Sequence, residues 1–174
     1  MPPDFKIRVA EPNIEEDDAK AVYNAVKEKC LSGSGPYNKQ FEKKFAEYIG
    51  TKYAIAVNSG TAALHLSLEV LGIRDGDEVI TTPFTFAATS NVIIMQNAKP
   101  IFVDIEPETF NLDPLKIESA ISSKTKAIMP IHYAGQPCEM DAINEIAKQH
   151  NLYVIEDAAP AVGSTYKGKK AGTL

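Results

Sequence analysis

Short apolar runs alternate with amphipathic stretches along most of the chain. The runs are rich in β-branched and aromatic residues, as is typical of strands that are buried on both faces of a sheet. They are YAIAV (53–57), DEVITT (77–82), PIFVD (100–104), KAIMPI (126–131) and LYVIE (152–156). The stretches between them predict helices over 61–71, 86–96, 114–121 and 139–150. Repeated strand–helix–strand units indicate right-handed crossovers and a mainly parallel sheet between two helical layers, which is an α/β fold.

Two further helices are predicted ahead of the first strand. One covers residues 14–29, and the other carries Phe41 and Phe45 on one face. The segment LSGSGPYN lies between them, and its glycines and proline break the helical pattern. We therefore divide the chain into an N-terminal arm and helix (1–34) and part of a larger α/β domain (35–174).

Composition narrows the classes of function. The chain has 174 residues and a net charge of −5, which argues against a nucleic-acid-binding surface. It shows neither a signal-peptide core nor a membrane span, so we expect a cytoplasmic protein that does not contact membranes. The two cysteines, Cys30 and Cys138, are far apart and lack metal-binding spacing, so no disulfide framework and no metal site are predicted.

Several segments that follow the predicted strands carry candidate chemistry. In sheets of this type, ligands bind beyond the carboxyl ends of the strands. Ser59, Gly60 and Thr61 stand where a strand meets a helix, and the free N–H groups of a helix start suit a phosphate group. Serine and threonine are also ordinary helix caps, so both interpretations stay open for this turn.

The other candidates are a carboxylate, two phenylalanines and a histidine. Asp157 ends an apolar strand, where it either caps the next helix or lies buried with an N–H or cationic partner. Phe84 and Phe86 belong to the core or offer a face for stacking a flat ring. His132 ends another strand and is a candidate for positioning substrate or cofactor. A phosphate turn, a stacking face and a buried carboxylate together describe a site for pyridoxal phosphate.

Four stretches carry a resemblance to a known family. They are SGTAALHLSLEVLGIRDGDEVITTPFTFAATSN, PIFVDIEPETFNLDP, TKAIMPIHYAGQPCEMDAI and VIEDAAPAVGSTYKGKKAGTL. The sequence resembles the DegT/DnrJ/EryC1/StrS family of pyridoxal-phosphate-dependent aminotransferases, which act on nucleotide-linked keto sugars. The resemblance covers nearly the whole chain from about residue 14. It implies the large domain of an aspartate-aminotransferase-like, fold-type-I enzyme.

The resemblance assigns roles to individual residues. It implies that Gly60 and Thr61, in the turn that begins at Ser59, bind the cofactor phosphate. Phe86 in FTFAAT matches the aromatic residue that stacks on the pyridine ring. Asp157 in IEDAA matches the carboxylate that pairs with the pyridinium nitrogen.

Two departures from the family pattern matter. Pro160 stands where the family often has His, Gln or Glu, so its side chain offers no hydrogen bond to the cofactor. The chain also ends before the segment in which the family carries its Schiff-base lysine. Lys167, Lys169 and Lys170 lie in a charged, glycine-containing turn and are not expected to replace it. We therefore expect a truncated piece, inactive by itself, that lacks the catalytic lysine and the small C-terminal domain.

By resemblance, the full enzyme moves an amino group from an amino acid, with glutamate expected, to a keto carbon of a nucleotide-diphosphate deoxysugar. Pyridoxamine phosphate holds the amino group in between, and a homodimer working in cell-surface polysaccharide synthesis is implied. One alternative is a sugar dehydratase of the same fold, with histidine in place of the lysine. Another is a non-catalytic binding or regulatory module.

Overall fold

Helices and strands alternate through most of the computed structural model, which describes residues 11–174. Residues 1–10 of the predicted N-terminal arm lie outside the described part. The α-helices are α1 (Glu16–Lys27), α2 (Pro36–Ile49), α3 (Gly60–Val70), α4 (Ala88–Met95), α5 (Pro114–Ala120) and α6 (Met140–His150). The strands are β1 (Glu78–Thr81), β2 (Lys99–Phe102), β3 (Thr125–Ile128), β4 (Tyr153–Val154), β5 (Thr165–Tyr166) and β6 (Lys169–Lys170).

Strands β1 to β4 form a parallel sheet in the order β2-β1-β3-β4. Ile80 on the central strand β1 is in register with Ile101 on β2 and with Ile128 on β3. The chain leaves β1 towards one side of the sheet and leaves β3 towards the other, so the connections diverge between these two strands. A crevice opens at such a switch point, beyond the carboxyl ends of the strands.

The core lies on both faces of this sheet. Val79 and Ile80 are neighbours on β1 with no exposed surface, and they belong to two separate apolar clusters. The first cluster includes Leu68 of α3, and the second includes Ile143 of α6. Helices therefore cover both faces, as the continuous apolar runs predict.

The helix ends follow the capping residues in the sequence. Asp113 precedes α5, and its Oδ1 accepts a hydrogen bond from the N–H of Leu115 at 3.0 Å. Gly50 ends α2 in the left-handed conformation, with φ of 93°, which glycine adopts without steric cost. No helix between residues 11 and 174 is long and apolar enough to cross a membrane.

The segment 53–57 differs from the prediction because it forms no strand. Tyr53 and Ile55 are 73% and 81% exposed. The N–H of Ala56 donates to Oε1 of Glu42 at 2.9 Å instead of to a neighbouring strand. A strand requires a ladder partner, and the described residues place none beside this segment.

Helix α1 is the least buried of the six α-helices described. None of its residues is buried, and Val22, Tyr23 and Val26 form an exposed apolar stripe. Its first turn is held locally, because the N–H of Glu15 donates to Oδ2 of Asp18 at 3.0 Å. The division at residue 34 stays a prediction.

Candidate active site

A cavity of about 500 Å³ lies at the carboxyl ends of the parallel strands. Phe86 lines it from the segment after β1, Tyr133 from the segment after β3, and Asp157 from the segment after β4. Gly60 and Thr61 at the start of α3 complete the wall. The structure thus brings four predicted site residues, Gly60, Thr61, Phe86 and Asp157, into one cavity.

In the turn at 59–61, one side chain caps helix α3 and two backbone N–H groups stay free. Ser59 is the N-cap of α3, and its Oγ accepts a hydrogen bond from the N–H of Ala62 at 3.1 Å. The N–H groups of Gly60 and Thr61 have no acceptor among residues 11–174. Ser59 therefore acts as a helix cap here, while its two neighbours present free donors at the positive end of a helix dipole.

Gly60 has open space where a side chain would stand. A Cβ atom added to it would lie 4.0 Å from Cβ of Ala159, which is ordinary contact, and the residue does not adopt a positive φ. Neither backbone strain nor a clash with the protein therefore requires glycine at this position. The space that a larger side chain would fill is the cavity itself.

Asp157 is almost completely buried, at 7% exposure. Its backbone continues the pairing of β3 with β4, because its N–H donates to the carbonyl of Pro130 at 2.9 Å. Its Oδ1 accepts from the N–H of Ala159 at 3.3 Å, and its Oδ2 accepts from the hydroxyl of Thr89 at 2.9 Å. An ionised carboxylate can accept about four hydrogen bonds, so capacity remains for a donor in the cavity.

The two candidate phenylalanines have different surroundings. Phe84 packs against Phe110 and Tyr133, with ring centroids 5.6 and 4.8 Å apart. Phe86 lines the cavity with 82% of its surface exposed. Phe86 alone of the two offers a ring face to a ligand in the cavity.

His132 lies behind the cavity wall. It has no exposed surface, whereas its neighbours Ile131 and Tyr133 line the cavity. The N–H of Cys138 donates to Nδ1 at 3.1 Å, so Nε2 carries the hydrogen and donates to Oε2 of Glu156 at 2.9 Å. Both ring nitrogens are therefore used inside the protein, and the ring is not brought to the other site residues.

Three residues that the sequence did not single out support the site. Glu156 accepts the His132 bond and also the N–H groups of Gly172 and Leu174, each at 2.7 Å. Asn111 secures the loop after β3, because its Oδ1 accepts from the N–H of Tyr133 at 2.9 Å. Thr89 donates to Asp157. A polar residue that is buried by distant parts of the chain leaves no periodic signal in the sequence.

The lysines near the end of the described chain lie on the β5–β6 hairpin, away from the cavity lining. Lys167 pairs with Asp141, and this hydrogen bond raises the pKa of Lys167. A Schiff-base lysine needs the opposite shift. Lys170 lies over the ring of Tyr48.

Pro160 lines the cavity without offering a side-chain donor, as its place in the sequence implied. The cavity wall does contain other donors, in the N–H groups of Gly60 and Thr61.

No group of three or more His, Cys, Asp or Glu side chains suited to a metal ion occurs between residues 11 and 174.

Named proteins are similar to this chain in sequence. GDP-perosamine synthase of Caulobacter vibrioides is 49% identical over 169 residues, which is 97% of this chain and 46% of that protein. The spore coat polysaccharide biosynthesis protein SpsC of Bacillus subtilis is 48% identical over 163 residues, or 94% of this chain and 42% of that protein. The chain thus spans less than half the length of these relatives.

Solved structures share the fold as well as the sequence. An aminotransferase from Psychrobacter cryohalolentis superposes with a TM-score of 0.88 at 43% identity, over 91% of this chain and 40% of that one. NtdA of Bacillus subtilis, solved with bound cofactor PMP, gives 0.83 at 43% identity, over 91% and 37%. The fold is therefore that of the fold-type-I aminotransferases. The model of the DegT/DnrJ/EryC1/StrS aminotransferase family matches residues 12–174, and the chain belongs to this family.

Proposed function

We propose that this chain supplies the cofactor-binding part of a pyridoxal-phosphate-dependent aminotransferase that acts on nucleotide-linked keto sugars. One observation carries the proposal: the buried carboxylate of Asp157 and the free N–H groups of Gly60 and Thr61 line the same cavity. Pyridoxal phosphate has an anionic phosphate and a basic ring nitrogen on one flat molecule. The residues present fit both groups.

Each wall residue has a task that follows from its surroundings. Gly60 and Thr61 bind the phosphate through their N–H groups at the start of α3. Phe86 packs its exposed ring against the face of the pyridine. Asp157 keeps the ring nitrogen protonated, and pyridoxal phosphate then supplies an electron sink for the transfer of the amino group.

The relatives support the cofactor and the class of substrate. NtdA was solved with PMP, and GDP-perosamine synthase and SpsC are named for sugar chemistry. Family resemblance supports the finer parts of the proposal: glutamate as donor, a nucleotide-diphosphate deoxysugar as acceptor, a cytoplasmic homodimer, and a place in cell-surface polysaccharide synthesis.

We further propose that the 174-residue chain is inactive when isolated. None of the lysines between residues 11 and 174 lines the cavity, and the relatives are more than twice as long as the part that this chain matches. The Schiff-base lysine is accordingly assigned to the part of the relatives that this chain does not span. The complete gene product is the right material for tests of activity.

The test uses the complete gene product loaded with pyridoxal phosphate. We expect glutamate to convert the cofactor to its amine form, which is followed by absorbance, and a nucleotide-linked keto sugar to convert it back. Asp157→Asn should fold but slow this exchange by about a hundredfold or more, because the variant loses a charge that stabilises the reacting state. Asp113→Asn is the matched control, since Asp113 is a nearly buried aspartate that caps α5.

Other results would redirect the proposal. Conversion at a near wild-type rate in Asp157→Asn would remove Asp157 from its assigned role. A protein that takes up the amine form and removes a sugar hydroxyl would be the dehydratase. A protein that binds the nucleotide sugar but exchanges no amino group would be the binding module.

A further inference from the structure

Thr89 is a fully buried hydroxyl residue immediately behind the cavity wall. Its Oγ1 lies 2.9 Å from Oδ2 of Asp157 and 2.9 Å from Oγ1 of Thr85. Thr85 and Asp157 both line the cavity. Thr89 therefore connects two cavity residues through hydrogen bonds, and its bond to Asp157 is buried.

The chemistry of the groups determines the direction of these two bonds. An ionised carboxylate only accepts, so the Thr89 hydroxyl donates to Asp157. A hydroxyl carries a single hydrogen, so Thr89 accepts from Thr85, whose hydroxyl is the donor. The result is a directed chain from Thr85 through Thr89 to Asp157, in which each bond polarises the next.

Thr89 is the nearer of the two hydrogen-bond donors to the Asp157 carboxylate. The other donor, the N–H of Ala159, is more distant, at 3.3 Å compared with 2.9 Å for Thr89. No Lys, Arg or His between residues 11 and 174 forms an ion pair with Asp157. Among the described residues, Thr89 is thus the side chain that donates a hydrogen bond to Asp157 and holds its carboxylate in place.

The same bond also sets the relative positions of two cavity residues. Thr89 lies in the first turn of α4, where its N–H donates to the carbonyl of Phe86 at 3.1 Å. Asp157 is 68 residues further along the chain. The Thr89 hydroxyl therefore joins the segment that carries the exposed Phe86 ring to the strand end that carries the carboxylate.

We propose that Thr89 is a positioning residue that acts on the cofactor through Asp157. Its hydroxyl holds the carboxylate in the orientation that meets the ring nitrogen, and Thr85 holds that hydroxyl in the donating direction. This inference rests on the proposed function, because the ring nitrogen belongs to pyridoxal phosphate. Valine has the shape of threonine without the hydroxyl, so Thr89→Val separates hydrogen bonding from packing.

The experiment measures the protonation of the ring nitrogen directly in the complete gene product. Pyridoxamine 5′-phosphate labelled with ¹⁵N in the ring is bound to wild type, Thr89→Val, Thr89→Ser and Thr85→Val, and its ¹⁵N chemical shift and affinity are recorded. Thr81→Val is the matched control, because Thr81 is equally buried but donates to the carbonyl of Met129 at 2.9 Å. Circular dichroism verifies folding, and Thr89→Ala replaces Thr89→Val if the latter does not fold.

We expect wild type, Thr89→Ser and Thr81→Val to show the shift of a protonated pyridine. Thr89→Val should move the shift towards neutral pyridine and weaken binding about tenfold or more, as expected for losing one hydrogen bond to a charged group. Thr85→Val should move both values less, in the same direction. A Thr89→Val protein with the wild-type shift and affinity would overturn the inference. A wild type that binds no pyridoxamine phosphate, or binds it unprotonated, would instead contradict the proposed function.

Discussion

The apolar runs at 53–57 and 77–82 look alike in sequence but have different environments in the structure. Ile80, in the second run, has no exposed surface and belongs to a strand that is paired on both sides. Ile55, in the first run, is 81% exposed, and its segment forms no strand. Apolar, β-rich composition therefore indicates the capacity to form a strand, whereas a ladder partner decides whether the strand forms.

The surface beside the unpaired run is apolar as well. Ile55 and Val57 line a groove of about 530 Å³ together with Val154, Ile155 and part of α3. The outer edge of β4 borders the same groove and has no strand partner among residues 11–174. The second run, by contrast, lies between two neighbouring strands and under helices on both faces.

Each run leads into a part of the candidate site. The unpaired run is followed by the turn at 59–61, and the paired run by the segment that carries Phe86 and Thr89. The turn is nevertheless well placed, because Leu64 and Leu68 of α3 are buried in the core. The helix after the turn, rather than the run before it, holds the free N–H groups at the cavity.

The largest expected effect concerns this turn. Gly60→Val in the complete gene product should fold, because its Cβ meets only Ala159 at 4.0 Å. It should nevertheless lose pyridoxal phosphate almost completely, because the side chain would occupy cavity space beside the free N–H groups. Thr61→Ala keeps its N–H donor and should lose about ten- to a hundredfold in affinity. Absorbance titration measures both affinities, with folding checked separately. Unchanged affinity in folded Gly60→Val would mean that the turn only caps α3.

The second prediction compares the two runs directly in the 174-residue chain. Ile80→Ala should lower the free energy of unfolding by about 3 kcal/mol, since it leaves a cavity in the core. Ile55→Ala should change it by less than about 0.5 kcal/mol, as is usual for exposed positions. Urea unfolding followed by circular dichroism measures both. Equal losses would show that the run at 53–57 is buried in solution. Repeating the pair in the complete gene product shows whether Ile55 gains a partner there.

The smallest expected effects are those of Ser59 variants, which distinguish helix capping from ligand binding by comparing stability with cofactor affinity. Ser59→Ala should lower the free energy of unfolding by about 1 kcal/mol, because the N–H of Ala62 loses its acceptor. Ser59→Asp restores the cap but adds negative charge at the proposed phosphate site, so it should be stable and bind pyridoxal phosphate less tightly. Thermal unfolding and absorbance titration give the two values. Full affinity in Ser59→Asp would place the phosphate elsewhere.

Much of the fold was predictable because its signals are local. Periodicity predicted the helices that form α3 to α6 and four of the five strands, and Asp113 marked the start of α5. The fifth predicted strand, at 53–57, was wrong because a single run contains no information about its neighbours. The cavity could be located at the carboxyl ends of the strands because parallel topology itself creates a crevice there.

The sequence by itself determined the alternation of strands and helices, the family, and the chemical types that line the cavity. Only the tertiary structure decided which of two similar side chains reaches the cavity: Phe86 lines it, while Phe84 packs against other rings. It also placed His132 behind the wall and joined Thr89 to Asp157 across 68 residues. Periodicity and capping act over a few residues, whereas these contacts depend on how distant segments pack, so no local pattern encodes them.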